Sequence, residues 1–347
     1  MEFLIDYGLF LAKAATVAVC LIVVIGFAVA VSTRHKAHAK DHIEIENLNR
    51  KLEEMTDSLE TAILPKKILK QKRKEKKQKH KAEIKQAEKA PEERRKRIFV
   101  LDFHGDIRGS AVASLREEIT AVLTVARPTD EVLVRLESGG GMVHAYGLAA
   151  SQLARIKQRG IPLTIAIDKI AASGGYLMAC VADQILAGPF AIVGSIGVLA
   201  QIPNFHRLLK SHDIDFEQVM AGEYKRTVTL FGETTDKARE KLREEIEDTH
   251  ALFREFVGTY RPALDLERVS TGEHWHGTRA LELKLVDEIR TSDDYLLTSS
   301  DVCDLYRVKY AARKTLAERI ASMMSRAANA REPALRAALD PARLPQT

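Results

Sequence analysis

The chain is poor in cysteine and lacks the short motifs of common metal and nucleotide sites. Its 347 residues include three cysteines, which lie far apart at positions 20, 180 and 303. This spacing excludes a disulfide framework and a cysteine metal site. No H-E-x-x-H segment and no Gly-Lys pair of a P-loop occurs, which argues against those metal and phosphate sites. We therefore expect neither a metal nor another cofactor.

Positive charge is concentrated in one segment. Between Lys66 and Arg97, sixteen Lys and Arg residues stand against five Glu, a net charge of +11. The whole chain carries only +5, so the remainder nets −6, and nucleic-acid binding by the folded part is not expected. The segment is predicted to be a solvated helix or linker. The alternative is a functional role, in which it binds anionic lipid headgroups electrostatically.

An uncharged apolar run, Ala14–Thr33, predicts a single membrane span. At about 1.5 Å per residue, its length matches the roughly 30 Å hydrocarbon layer. Glu2 and Asp6 precede the run, whereas a cleaved signal peptide would begin with positive charge. We predict a retained anchor. Positive charge from Arg34 onwards favours a cytoplasmic C-terminal part by the positive-inside rule, an asymmetry that Lys13 weakens.

A short heptad-like stripe follows the anchor and ends at Pro65. Its apolar residues recur at alternating steps of three and four: Ile45, Leu48, Leu52, Met55, Leu59 and Ala62. Such spacing predicts an amphipathic helix. Two interpretations remain open, a helix lying on the rest of the protein and a short coiled coil between protomers.

From Ile98 onwards, predicted strands alternate with predicted helices. The strands are Ile98–Phe103, Val132–Leu136, Leu163–Ile167, Gln184–Ala187, Ile192–Leu199 and Phe216–Met220. The longer helices are Ala111–Ala126, His144–Arg159 and Thr235–Tyr260, with a shorter one at Phe205–Ser211. This alternation predicts an α/β fold with a largely parallel sheet.

Ser173 stands where an apolar strand and tight turn give way to a helix. Free backbone N–H groups and the helix dipole stabilise an anion at such a point. A serine there, followed by Gly174 and Gly175, suits a nucleophile beside an oxyanion hole. The competing interpretation is that Ser173 only caps the helix.

Two further elements complete a hypothetical site. The run Ser138–Gly141 offers unobstructed N–H groups and is either a plain turn or an oxyanion-binding loop. None of the eleven histidines has a spacing that identifies it as a base. A lysine remains possible, because burial disfavours its ammonium form. Lys225 follows an apolar run and Gly222, and the residues alone leave open whether it is a surface lysine.

Five motifs in order resemble the signal peptide peptidase A family of membrane-anchored Ser-Lys peptidases. They are Val134–Gly141, Ala172–Tyr176, Val193–Val198, Ala221–Lys225 and Leu285–Asp287. The resemblance covers about Ile98 to Ile289. Two departures are Gly139, where the family has proline, and Ala221, where many members have serine.

The resemblance implies a fold, a site and a domain plan. The fold is α/β, ClpP/crotonase-like, with repeated ββα units. Ser173 would be the nucleophile and Lys225 the general base, oriented by Ser195, with oxyanion donors from the N–H groups of Gly140 and Gly174. The domains would be an anchor (1–40), the heptad stripe and basic linker (41–97), a peptidase domain (98–310) and a peripheral tail (311–347).

We therefore expect a membrane-anchored serine endopeptidase that works through an acyl-enzyme. By resemblance, its substrates are peptides such as signal-peptide remnants, its location is the bacterial inner membrane, and it forms a ring-like homo-oligomer in contact with the lipid bilayer. Two other classes remain open. One is a crotonase-type acyl-CoA enzyme, which needs neither Ser173 nor Lys225, and the other is a non-catalytic membrane scaffold.

Overall fold

A computed structural model of the chain describes residues 42–72 and 95–311, with a few isolated positions (8, 10, 13, 16, 19, 74, 75 and 78). The chain divides into two units. One is Ile43–Tyr310, and the other combines Met1–His42 with Ala311–Thr347. The predicted anchor and C-terminal tail belong to the second unit and lie outside the described residues, apart from isolated positions. Within the described part, no helix has both the length and the apolar character needed to cross a bilayer.

The larger sheet has seven strands in the order β1-β10-β2-β3-β4-β6-β9. These are β1 (His42–Asn47), β2 (Arg97–His104), β3 (Glu131–Glu137), β4 (Leu163–Ile167), β6 (Gln184–Ala187), β9 (Glu288–Ile289) and β10 (Asp304–Ala311). All pairings from β10 through β2, β3, β4 and β6 to β9 are parallel. The predicted α/β class with a largely parallel sheet is confirmed.

Residues 66–72 of the described part are helical, and nine further helices have defined limits. They are α1 (Leu48–Ile63), α2 (Val112–Val125), α3 (Val143–Gln158), α4 (Gly174–Ala179), α5 (His206–Ser211), α6 (Asp236–Tyr260), α7 (Leu266–Val269), α8 (Gly277–Glu282) and α9 (Ser292–Ser299). Predicted helix limits for α2, α3, α5 and α6 agree with these within one residue.

Both faces of the larger sheet are covered, because successive side chains of a strand point to opposite sides. In β2, Phe99, Leu101 and Phe103 enter one core, which helices α2 and α3 complete. Ile98 and Val100 enter the other core, to which α1 and α9 contribute. The central strands therefore read as continuous apolar runs, and every residue of β4 is buried.

A second sheet of three short strands sits beside the carboxyl ends of β3 and β4. Strand β5 (Ile170–Ala172) pairs in parallel with β7 (Ile192–Gly194), and β7 pairs antiparallel with β8 (His274–His276). A parallel bridge between Ser138 and Ala171 connects the segment after β3 to β5. This bridge brings the Ser138–Gly141 loop against the start of the Ser173 turn.

Three predicted elements differ from the structure. The segment Phe216–Met220 was expected to be a strand, but it has no strand structure and all five residues are exposed. No neighbouring strand of the described part offers backbone partners there. The strand expected at Ile192–Leu199 ends at Gly194, because Gly194 and Ser195 both adopt positive φ. The heptad stripe does not start on a helix, because Ile45 belongs to β1.

Candidate active site

Ser173 occupies a strained turn between β5 and α4. Its backbone has φ 53° and ψ −121°, which a non-glycine residue rarely adopts. The Ser173 N–H donates to the carbonyl of Gly194 at 2.8 Å, and the Ser173 carbonyl accepts from Leu177 N at 3.0 Å. The Ser173 hydroxyl makes no capping bond to α4. The interpretation of Ser173 as a simple helix cap is therefore wrong, and its Oγ is unengaged within the described residues.

Gly174 supplies a backbone N–H directly beside this hydroxyl. It is the first residue of α4, it is buried, and its N–H has no acceptor in the described part of the chain. A side chain at this position is sterically excluded, since a Cβ on Gly174 would lie 2.5 Å from Cγ of Tyr146. The predicted oxyanion donor is thus adjacent to the predicted nucleophile.

Gly140 approaches Ser173 closely but directs its N–H elsewhere. Its φ is +87°, and a Cβ there would lie 2.6 Å from Gly174 N and 2.8 Å from Ser173 Cβ. Only glycine allows this approach. The Gly140 N–H donates to Ser138 Oγ at 3.0 Å, so it is not a free oxyanion donor.

The next residue, Gly141, has an N–H without an acceptor among residues 42–72 and 95–311. Sequence reasoning passed over Gly141, although the run of three glycines offered it as an equal candidate. A Cβ on Gly141 would lie 2.2 Å from the Ile107 carbonyl oxygen, so glycine is also required here.

Ser195 lies at the end of the strand next to that of Ser173. Ala172 and Gly194 are register partners in the parallel β5–β7 pair, so Ser173 and Ser195 follow at neighbouring strand ends. Adjacent strands are about 4.8 Å apart. Ser195 also has positive φ, 52°, and its N–H donates to the Glu273 carbonyl at 2.6 Å. The structure therefore brings together two serines that are 22 residues apart in sequence.

Lys225 lies in the exposed connection between α5 and α6. Its N–H donates to the Gly222 carbonyl at 3.2 Å, and its side chain is exposed. Within the described residues, its ammonium makes no hydrogen bond or ion pair, so no such bond joins it to Ser173 or Ser195. From residue 199 to residue 235 no residue is buried. The structure thus groups Ser173, Gly174, Gly140 and Ser195, and among the described residues no hydrogen bond or ion pair joins the exposed Lys225 to that group.

An open cleft of 520 Å³ lies beside the glycine loop and has Gly140 of this group in its lining. It is lined by Gly105, Asp106, Ile107, Arg108, Gly139 and Gly140. The Asp106 carboxylate accepts from the hydroxyl and N–H of Ser110 at 2.6 and 2.8 Å. The Ser110 hydroxyl is the main cause of a lowered Asp106 pKa, so this carboxyl is charged beside the cleft at neutral pH.

No histidine of the described residues is hydrogen-bonded to Ser173. His104 pairs with Glu137 at 3.6 Å, and His276 Nδ1 contacts the Phe190 carbonyl at 3.3 Å. Among the described residues, Ser173 therefore forms no Ser-His pair.

Comparisons with known proteins place this chain among peptidases. Family models described as "Peptidase family S49 N-terminal" and "Peptidase family S49" match residues 2–153 and 155–303. "Probable protease SohB" of Haemophilus influenzae is 47% identical over 322 residues, covering 91% of each chain. The protein of that name in Buchnera aphidicola subsp. Schlechtendalia chinensis is 46% identical over 305 residues, covering 86% of this chain and all of its own.

Similarity to solved structures is weaker. A mutant of the 1510-N membrane-bound stomatin-specific protease matches with a TM-score of 0.40 and 14% identity. The match covers 59% of this chain and 84% of that one.

Proposed function

Because the chain belongs to peptidase family S49 and is a serine-type peptidase, we propose that Ser173 is its nucleophile and Lys225 its general base. The observation that carries the proposal is the Ser173 turn. Its backbone is held at an unusual conformation, and its hydroxyl has no hydrogen-bond partner in the part of the chain that the structure describes. In that part, the N–H groups of Gly174, which follows Ser173, and of Gly141, which follows the closely approaching Gly140, also lack acceptors. Strained backbone of this kind persists where the surrounding structure enforces it, commonly at active sites.

The proposed reaction follows from these groups. Ser173 Oγ bonds to the substrate carbonyl carbon while its proton passes to Lys225 Nζ. Backbone N–H groups of Gly174 and the 140–141 loop stabilise the resulting oxyanion. The peptide C–N bond then breaks, and Lys225 returns the proton to the leaving amine. Water hydrolyses the acyl-enzyme through the same proton transfers, and Ser195 orients the lysine.

Completion of the dyad requires Lys225 to approach Ser173, and we propose that a homo-oligomer provides the setting. The segment from residue 199 to 231 exposes many large apolar side chains: Leu199, Ile202, Phe205, Leu208, Ile214, Phe216, Val219, Met220, Tyr224, Leu230 and Phe231. Monomeric proteins rarely expose contiguous apolar surface of this kind. A neighbouring copy that covers the segment would also define the position of Lys225.

We further propose a ClpP/crotonase-like fold and a single-pass location in the bacterial inner membrane. In support of the fold, β4, β5 and α4 form a ββα unit, and β6 and β7 repeat its first two strands. In support of the location, Ala14–Thr33 has the length and composition of a span, and the positive-inside rule favours a cytoplasmic peptidase unit. The proposed substrates are peptides released in or near the membrane, such as signal-peptide remnants.

Labelling with a fluorophosphonate probe tests the nucleophile and the base together. The wild-type protein is expected to be labelled, Ser173→Ala to be unlabelled, and Lys225→Ala to react roughly 10²–10⁴-fold more slowly, the usual contribution of general-base catalysis. Lys210→Ala is the matched control, because Lys210 is another exposed lysine of the same segment. Equal labelling of wild type and Lys225→Ala would refute the lysine base. An unlabelled wild type would indicate a scaffold, and an acyl-CoA activity that survives in Ser173→Ala would indicate a crotonase-type enzyme.

A further inference from the structure

A buried chain of hydrogen bonds begins at the glycine loop and ends at Asp106, which also lines the cleft. The Gly140 N–H bonds to Ser138 Oγ at 3.0 Å, and Ser138 Oγ lies 2.6 Å from Tyr146 Oη. Tyr146 Oη in turn bonds to the Asp106 carbonyl oxygen at 2.8 Å. Ser138 is 2% exposed and Tyr146 is 0% exposed, so water does not compete for these groups.

The inventory of donors and acceptors gives this chain a single direction. A backbone carbonyl can only accept, so the one phenolic proton of Tyr146 is donated to Asp106. Ser138 must then donate its own proton to Tyr146 Oη. The lone pairs of Ser138 Oγ remain available for the Gly140 N–H. Burial raises the pKa of Tyr146, and the Ser138 hydrogen bond only partly opposes this effect. The raised pKa keeps the phenol protonated at neutral pH.

The same two residues also contact the Ser173 turn. The Ser138 N–H donates to the Ile170 carbonyl at 2.9 Å, and the Ser138 carbonyl accepts from Ala172 N at 3.0 Å. The ring of Tyr146 packs against Gly174, where a Cβ would lie 2.5 Å from its Cγ. Ser138 and Tyr146 are therefore linked to both backbone segments that hold the proposed oxyanion donors, the glycine loop and the Ser173–Gly174 turn.

Gly140 needs this support because its conformation is not self-stabilising. Glycine at φ +87° has the largest choice of backbone conformations, and rotation of its peptide would redirect the following N–H of Gly141. With the Gly140 N–H bound to Ser138, and Met142 N bound to the Ile107 carbonyl at 2.9 Å, the loop is fastened on both sides of Gly141.

We infer that Ser138 and Tyr146 are positioning residues for the oxyanion hole, and that they orient the loop so that Gly141 and Gly174 present their N–H groups to the tetrahedral intermediate. This inference rests on the proposed role of Ser173. Both hydroxyls belong to buried residues, and both act through the backbone of the loop.

Three variants interrupt the chain in different ways. Tyr146→Phe removes the phenol oxygen, and Ser138→Ala removes the acceptor of the Gly140 N–H. Gly105→Ala deletes no hydroxyl, but its new Cβ would lie 2.4 Å from both Ser138 Oγ and Tyr146 Oη and would displace them. The matched control is Tyr295→Phe. It removes a phenol hydroxyl that donates to the Glu131 carboxylate at 2.6 Å and takes no part in the Ser138–Tyr146 chain.

The decisive measurement is the split between kcat and KM for a peptide substrate. Removing one oxyanion donor costs about 10²–10³-fold in kcat, and a misplaced donor is expected to cost roughly tenfold or more, with KM changed little. Tyr146→Phe combined with Ser138→Ala is expected to lose no more than the worse single variant, because both act on one loop. Affinity for a peptide aldehyde, which forms an oxyanion with serine, should fall in parallel, while affinity for the corresponding peptide alcohol stays constant.

The outcomes separate the inference from the function on which it rests. Peptide turnover that is as fast in Ser173→Ala as in the wild type would refute the proposed function. Wild-type turnover that requires Ser173 but is retained in Tyr146→Phe and Ser138→Ala would overturn only the positioning role. Multiplicative losses in the double variant, or a kcat loss in Tyr295→Phe of the same size, would also overturn it. If Tyr146→Phe does not fold, the smaller deletion Ser138→Ala decides the question alone.

Discussion

At the scale of single residues, Ser173 and Ser195 share an unusual backbone conformation at neighbouring strand ends. Their φ angles are 53° and 52°, and each donates its N–H to a carbonyl of an adjoining strand or loop. Such conformations cost about 1–3 kcal/mol for a non-glycine residue. The β5–β7 pairing and the close approach of Gly140 hold Ser173 in place, so stability is given up locally to present its hydroxyl.

Ser173→Gly tests whether this strain is real. Because glycine adopts positive φ without a steric penalty, we expect an increase of about 1 kcal/mol in the free energy of unfolding, together with complete loss of peptidase activity. Ser173→Ala should lose the same activity without the gain in stability. Denaturant unfolding of the three proteins measures the difference. Identical midpoints for the glycine and alanine variants would show that Ser173 is unstrained.

At the scale of secondary-structure elements, the segment before the basic linker is part of the same compact unit as the site. Asn49, in the first turn of α1, donates to the carbonyls of Ser300 and Cys303 and accepts from Leu305 N. Leu48 is buried in the core that α9 and β10 share. The interpretation of the stripe as a helix packed on the protein therefore holds at this end, whereas Met55 and Leu59 further along α1 are exposed.

Strand β10 is also attached to helix α2, through a buried carboxylate. Glu118 accepts from the Tyr310 N–H at 2.9 Å. Burial raises the pKa of Glu118, and this hydrogen bond only partly opposes the effect. A carboxyl with a raised folded-state pKa contributes its full stability below the unfolded-state pKa and loses it as pH rises through the folded-state pKa.

Glu118→Gln should therefore stabilise the protein at neutral and higher pH. Glutamine keeps an acceptor oxygen for the Tyr310 N–H and removes the buried charge. The advantage over wild type is expected to disappear as pH falls well below about 4, where the carboxyl is protonated in both the folded and the unfolded state. Thermal unfolding across this range measures it, with the exposed Glu117→Gln as control. A Glu118→Gln variant that is less stable than wild type at every pH would contradict the assignment.

At the scale of the whole molecule, the unburied segment from residue 199 to residue 235 contrasts with the tightly packed sheet. Val219 is 90% exposed, and helix α5 within this segment has no buried residue. The same segment carries Lys225. Covering it with a second copy would remove apolar surface from water and constrain the lysine at once.

Charged substitutions in this segment test the assembly. Phe216→Asp combined with Val219→Asp should lower the oligomeric mass measured by light scattering, and peptidase turnover should fall with it. Leu297→Asp, an exposed leucine on α9, is the matched control and should change neither. Unchanged mass with normal turnover in the double variant would show that the segment is not an interface between copies.

The sequence by itself determined the parallel α/β core and the family. Mainly apolar runs such as Leu163–Ile167 are typical of strands buried on both faces, and their alternation with helical segments indicates a parallel sheet. The local pattern at Ser173, a serine before two glycines at a strand-to-helix turn, left a helix cap and a nucleophile as alternatives, and only the resemblance to the family favoured the nucleophile. Strand β1 and strand β10 were not anticipated, since the long-range pairing that makes them strands has no local signal.

Only the tertiary structure decided how the site residues relate to each other. Ser195 comes beside Ser173 through the β5–β7 register. Ser138 accepts the Gly140 N–H, whereas the Gly141 N–H has no acceptor among the described residues. Tyr146 enters the site from the interior of α3, where the sequence shows only one apolar residue among others. Hydrogen-bond directions and close backbone approach depend on pairs far apart in the chain, and no local pattern of residues encodes them.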